Sequence, residues 1–115
     1  MKFIEYPPCS TCKKAKAWLD GHGVCYTDRN IKVENPSYEE LKAWQAKSGL
    51  PLKRFFNTSG LLYKSLNLKE RLPKMSEDEQ LKLLSSDGML VKRPILVAED
   101  KILVGFREAE WETIL

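Results

Sequence analysis

Two cysteines, Cys9 and Cys12, are separated only by Ser10 and Thr11, and the residues around them set what the pair can do. Lys2-Phe3-Ile4-Glu5-Tyr6 alternates apolar and polar side chains as a short strand does, and Pro7-Pro8 ends it in a loop. From Thr11 onward Cys12, Ala15, Trp18 and Leu19 fall on one helical stripe, which Gly21-His22-Gly23 stops. The first sulfur therefore sits at the end of a loop and the second one helical turn later on the same face, within mutual reach. Backbone N–H groups at a helix start carry roughly half a positive charge. A thiolate at Cys9 is stabilised there, which makes it the expected nucleophile. Cys9 would attack a substrate and Cys12 would resolve the mixed disulfide.

Two other readings of the same residues stand beside this one. Two cysteines can be inert, although a loop-helix junction is an exposed place for inert thiols. Cys9, Cys12, His22 and Cys25 also make a set of four possible zinc ligands. Against zinc, Cys25 falls in an expected strand where a small buried hydrophobe is common, and His22 between two glycines reads as a turn residue, so no metal is expected. Lys13, Lys14 and Lys16 read most simply as a solvated helix face. Arg93 and Arg107 flank the last two strands; as strand-end arginines they need no function, but beside Cys9 they would hold an oxyanion or steady a thiolate. Pro94 precedes an apolar strand, where a trans bond is the default.

The elements that must position these groups follow from the patterning. Val24 to Ile31 reads as a second strand beside the first, completing a βαβ unit. Ser37 with Glu40, and Ser76 with Glu79, open two capped helices that end near Ser48-Gly49 and Asp87-Gly88. Leu52 to Leu72 shows no alternation and is expected to form one or two short helices broken near Gly60. Pro94 to Gly105 reads as a β-hairpin turning at Glu99-Asp100, and Arg107 to Ile114 as a final helix. The fold class is α/β: a thioredoxin-like fold with a four-stranded mixed sheet flanked by helices, one domain over 1–115, with an all-helical insert at about 32–88.

Composition agrees. The 115 residues, 43% apolar and 30% charged, suit one domain burying roughly 65% of its unfolded surface without disulfide or metal staples. No apolar run spans a bilayer, and the opening residues meet Glu5 too early for a signal peptide, so a cytoplasmic protein with no membrane contact is expected. Nineteen basic against sixteen acidic side chains, spread evenly, predict no direct nucleic acid binding. A monomer with no bound cofactor is expected.

Four segments in order, Tyr6-Pro7-Pro8-Cys9-Ser10-Thr11-Cys12-Lys13-Lys14-Ala15, Phe56-Asn57-Thr58-Ser59-Gly60, Lys92-Arg93-Pro94-Ile95 and Val104-Gly105-Phe106-Arg107, resemble the glutaredoxin-linked arsenate reductase family. That family includes a branch of redox-responsive transcription regulators, the Spx and MgsR type, and the resemblance covers nearly the whole chain. It implies a cis bond at Pro94 near the cysteines, reversing the local preference. Reductases of the family use one cysteine and an arginine set, which implies Cys9 as nucleophile and Arg93 and Arg107 as anion-holding residues. The remaining position of that set falls on Lys53, with Arg54 adjacent; a lysine lacks the bidentate fork. Those reductases draw electrons from glutathione and glutaredoxin and have no cysteine matching Cys12; with a C-x-x-C pair, thioredoxin is a further candidate donor. The regulators carry C-x-x-C as a redox switch and bind the RNA polymerase α subunit. Here Pro51, Lys53 and Arg54 replace their acidic stretch, and nothing after Leu115 matches their C-terminal extension. The leading expectation is a thiol-dependent oxidoreductase, the alternative a redox-switched regulator.

Overall fold

In the computed structural model, which describes residues 1–115, β1 (Lys2–Glu5) leads into α1 (Ser10–Gly21) and β2 (Thr27–Asn30). Four helices follow: α2 (Tyr38–Ser48), α3 (Leu61–Ser65), α4 (Leu68–Arg71) and α5 (Glu77–Ser86). Single 3-10 turns at 52–55, 72–74 and 88–90 join them. β3 (Ile95–Val97), β4 (Ile102–Val104) and α6 (Glu108–Trp111) complete the chain. The strands form one mixed sheet in the order β2-β1-β3-β4, parallel only between β1 and β2. This is the thioredoxin-like arrangement expected from the sequence.

Strand alternation divides the interior in two. Phe3 lies opposite Leu96, which lies opposite Leu103, and all three point toward Ala15 and Leu19 of α1 and Trp111 of α6. Their neighbours Ile4, Ile95, Ile102 and Val104 point the other way, into a larger core roofed by α2 to α5. The capping boxes form as expected. Ser37 Oγ accepts from the Glu40 amide and Glu40 Oε1 from the Ser37 amide, each at 3.1 Å, and Ser76 and Glu79 repeat the exchange at 3.1 and 3.0 Å. Arg29 of β2 donates two hydrogen bonds to the Glu40 carboxylate, at 2.7 and 2.9 Å, and so ties α2 to the sheet. At the end of α5, a Cβ on Gly88 would lie 1.8 Å from the Ile31 carbonyl oxygen. Only glycine lets the chain pass so close.

The second strand is shorter than expected, starting at Thr27 rather than near Val24. Its ladder can begin only where β1 supplies a partner, and β1 starts with Lys2 opposite Thr27. Val24 and Tyr26 still pack against the smaller core from the loop, but Cys25 is exposed, not the buried strand residue the alternation suggested. No helix is long and apolar enough to cross a membrane.

Candidate functional site

Cys9 is the N-cap of α1, with extended backbone, and its amide donates to the Tyr6 carbonyl at 2.9 Å to close the turn made by the two prolines. The Cys9 side chain caps nothing and is left partly exposed. Burial pushes the Cys9 thiol up, but the backbone amide and side chain of Cys12, the Arg93 guanidinium and the Thr11 amide outweigh it and hold the thiol below its ordinary value. Cys12, three residues on, is fully buried. Burial is the main cause that pushes its thiol up to about 12, with the charges of Cys9 and Glu5 adding to it against a hydrogen bond from the Tyr6 amide. Both thiols are free, as is that of Cys25. One sulfur is primed to ionise and its neighbour to stay protonated.

Arg93 reaches this corner because β3 begins just after it, and the Arg93–Pro94 bond is cis. Its guanidinium lies 5.0 Å over the Tyr6 ring, a cation–π contact that keeps it beside Cys9. Gly105 has φ of +76° and donates to the Pro94 carbonyl at 2.8 Å, a turn that suits glycine and swings Phe106 and Arg107 toward α1. The Trp111 indole N–H, buried, donates to the Gly105 carbonyl at 2.9 Å and holds the turn from behind. On the third side the insert is pinned to the segment before Arg93. The Lys92 amide donates to the Phe55 carbonyl at 2.8 Å, and Phe56 bridges Val91 in antiparallel fashion.

These elements close a cavity of about 230 Å³ whose wall includes Thr11, Arg54, Lys92, Arg93 and Arg107. Four cations around so small a space suit an oxyanion or a carboxylate. Lys53 is not in this wall; it borders a groove alongside, shared with Arg54, Lys92 and Phe56. In the 3-10 turn of 52–55 each residue advances by a third of a turn, and Leu52 and Phe55 take the buried positions. Lys53 and Arg54 then leave in different directions, and Arg54 is the one that enters the cavity. Adjacency in sequence could not separate the two.

The zinc set is not assembled: no three of the His, Cys, Asp or Glu side chains come together in a way that could hold a metal. His22 instead stacks on Trp18, ring centroids 4.3 Å apart. The sequence reading also missed Glu5, which lies behind the cysteines and is only 3% exposed. Lys16, read as part of a solvated face, bridges it: its Nζ is 2.8 Å from Asp28 and 3.8 Å from Glu5 Oε2.

Comparison with known proteins gives the family and the fold. The family model described as "ArsC family" matches residues 4–114. YusI of Bacillus subtilis (strain 168), itself described as uncharacterized, is 56% identical over 112 residues, 97% of this chain and 95% of that protein. The regulatory protein MgsR of the same strain is 33% identical over 110 residues, 96% of this chain and 86% of its own length. A solved structure described as a possible arsenate reductase from Streptococcus mutans UA159 superimposes with a TM-score of 0.91 at 48% identity, covering 99% of this chain and 97% of that one.

Proposed function

Since the chain belongs to the ArsC family, we propose that it is a cytoplasmic thiol-dependent oxidoreductase in which Cys9 is the nucleophile and Cys12 the resolving thiol. The observation that carries this reading is the opposed ionisation of two sulfurs one turn apart: the partly exposed one is held below its ordinary value and the buried one is raised to about 12. The cavity lined by Arg54, Lys92, Arg93 and Arg107 would receive the anionic part of the substrate, with Arg54 rather than Lys53 completing the cation set. Glutathione with glutaredoxin, or thioredoxin, would return the electrons by exchange with the Cys9–Cys12 disulfide.

Alkylation of Cys9 across pH in a Cys12→Ser, Cys25→Ser background tests it. Cys9 should react near pH 6 much faster than a model thiol of pKa about 8.5; an equal rate would remove the activation. Arsenate turnover with glutathione and glutaredoxin then identifies the class. Loss in Cys9→Ser alone means a one-cysteine reductase, and loss in both Cys9→Ser and Cys12→Ser means an internal disulfide.

A second reading is favoured by the identity to MgsR and by the C-x-x-C pair: a module whose disulfide controls its grip on the RNA polymerase α subunit. A pull-down with that subunit under oxidising and reducing conditions decides it. No retention in either state ends this alternative.

A further inference from the structure

Charge is spread evenly along the sequence but not over the surface. The 3-10 turn of 52–55 buries Leu52 and Phe55 and so turns Lys53 and Arg54 outward; α3 buries Tyr63 and leaves Lys64 exposed, and α4 does the same with Leu68 and Lys69. These exposed positions meet on one side of the insert. The anion cavity shares Arg54 and Lys92 with the groove beside it, about 410 Å³ in volume, and that groove shares Thr58 with a depression walled by Tyr63, Lys64 and Lys69. A second depression joins Lys53 to Tyr63 and Lys69. The concavities therefore form one track from the Cys9 corner across the insert, floored by the buried rings of Phe56 and Tyr63. No acid lines any part of it. Glu70, the acid nearest to Lys69 in sequence, lies outside the walls and accepts from Asn67 Nδ2 at 3.3 Å.

Five cations of the track, Lys53, Arg54, Lys64, Lys69 and Lys92, take part in no ion pair; the ion pairs engage Lys16, Arg29, Lys82 and Arg107 instead. Leaving these five aside, fourteen basic side chains remain against sixteen acidic ones, so the positive excess of the whole chain resides on this one track. A row of cations without counter-charges of its own concentrates an anionic partner. We propose that the track docks an acidic segment of a polypeptide substrate whose disulfide Cys9 attacks. The inference rests on the thiol-oxidoreductase reading above and names its substrate class. Polypeptide is favoured over nucleic acid because the track runs into the cavity beside Cys9, where the partner must deliver a sulfur, and a protein carries both cysteine and carboxylates. One substrate carboxylate enters the cavity between Arg54, Lys92 and Arg107, and others meet Lys53, Lys64 and Lys69. The Cys9 thiolate forms a bond to one partner sulfur as the partner's S–S bond breaks and its other sulfur leaves as a thiolate. Cys12, giving its proton to solvent, then forms the Cys9–Cys12 bond and releases the first sulfur, so one partner disulfide is reduced and two thiols of this chain are oxidised.

The test uses the full chain with Cys25→Ser and peptides of about twelve residues, ~40 Å when extended, against a long axis of 42 Å for the molecule. Each peptide holds one cysteine, joined by a disulfide to a coloured aromatic thiol and flanked on both sides by Glu, by Gln or by Lys. At about 20 mM salt the Glu peptide should release the thiol about tenfold faster than the Gln peptide and the Lys peptide more slowly than either, and about 0.5 M salt should erase the difference. Lys64→Glu with Lys69→Glu should reduce the Glu-to-Gln rate ratio to about two or less, while Lys32→Glu with Lys42→Glu, the same change of charge off the track, should leave it above about five. Equal rates for the Glu and Gln peptides, or an equal loss in both double variants, overturns the proposal. A labelled, cysteine-free Glu peptide measures docking without thiol chemistry and should bind the parent several-fold more tightly than it binds the Lys64→Glu, Lys69→Glu variant. A DNA oligonucleotide that binds where the Glu peptide does not also overturns the proposal and assigns the track to nucleic acid. Release of thiol from no peptide would instead refute Cys9 as the nucleophile, with the labelled peptide still deciding the docking.

Discussion

The two faces of the sheet are built to different ends. The face under the insert buries seventeen residues in one cluster, whereas the face under α1 and α6 buries six, so most of the apolar driving force lies on the insert side. The smaller core sits beside Cys12 and Glu5, two titratable groups out of contact with water. Titratable groups also behave oppositely on the two sides. Glu5, raised mainly by burial, is best tolerated as the neutral acid. Glu40, in the first turn of α2, is drawn down to about 2, first by its paired hydrogen bonds from Arg29, and is best tolerated as the carboxylate. The thick face therefore supplies most of the apolar burial, and the thin face holds buried groups, Glu5 and Cys12, whose neutral forms burial favours.

Substitutions on each face sharpen that division. Leu84→Ala, at a fully buried site of the large core, should cost about 3 kcal/mol in urea unfolding while leaving the pH profile of Cys9 alkylation where it was. A coupled loss would show that the two faces are one unit. Gly88→Ala drives a methyl into the Ile31 carbonyl and should cost about 2 kcal/mol through a forced shift of the chain. Gly21→Ala meets nothing within 4 Å at the end of α1 and should be neutral or stabilising by up to about 1 kcal/mol. Beside Cys9, Arg93→Ala should leave the unfolding midpoint almost unchanged but shift Cys9 alkylation to higher pH, because the guanidinium helps hold the thiolate.

The two faces also differ in the sign of the pH dependence of stability. Between about pH 4.5 and 7 the native chain keeps a proton on Glu5 that the unfolded chain has released, so this contribution is full at low pH and falls as pH rises. Glu5→Gln should flatten that fall. Glu40 acts the other way: its contribution is present above about pH 4.5 and is lost as pH drops toward 2, and Glu40→Gln should remove the acid-side loss. Unfolding at a series of pH values for both variants measures the two slopes. Slopes of the same sign would contradict the contrast between the faces.

Much of this architecture could be read from local chemistry. Ser37 and Ser76 announced their helices because a capping box involves only residues three apart, and the C-x-x-C pair could be placed at a loop-helix junction from the prolines before it and the stripe after it. What stayed hidden depends on contacts between distant segments. Glu5 looked like the polar side of an alternating strand, and only the arrival of α1 and Asp28 turns that side inward. Cys25 looked like a strand residue until the β1 register showed where pairing begins. Lys53 and Arg54 differ by one step of a tight turn, and only where the insert meets the segment before Arg93, at the bridge between Phe56 and Val91, does Arg54 rather than Lys53 line the cavity.

The indole of Trp111 sits on one side against Phe3 and Trp18 and on the other donates to the Gly105 carbonyl, two residues from Arg107. Fold repair and ligand choice thus draw on the same atoms in this corner. A change of ring there would move Gly105 and the cavity wall that follows it, so the shape of the proposed anion cavity depends on a residue that does not line it.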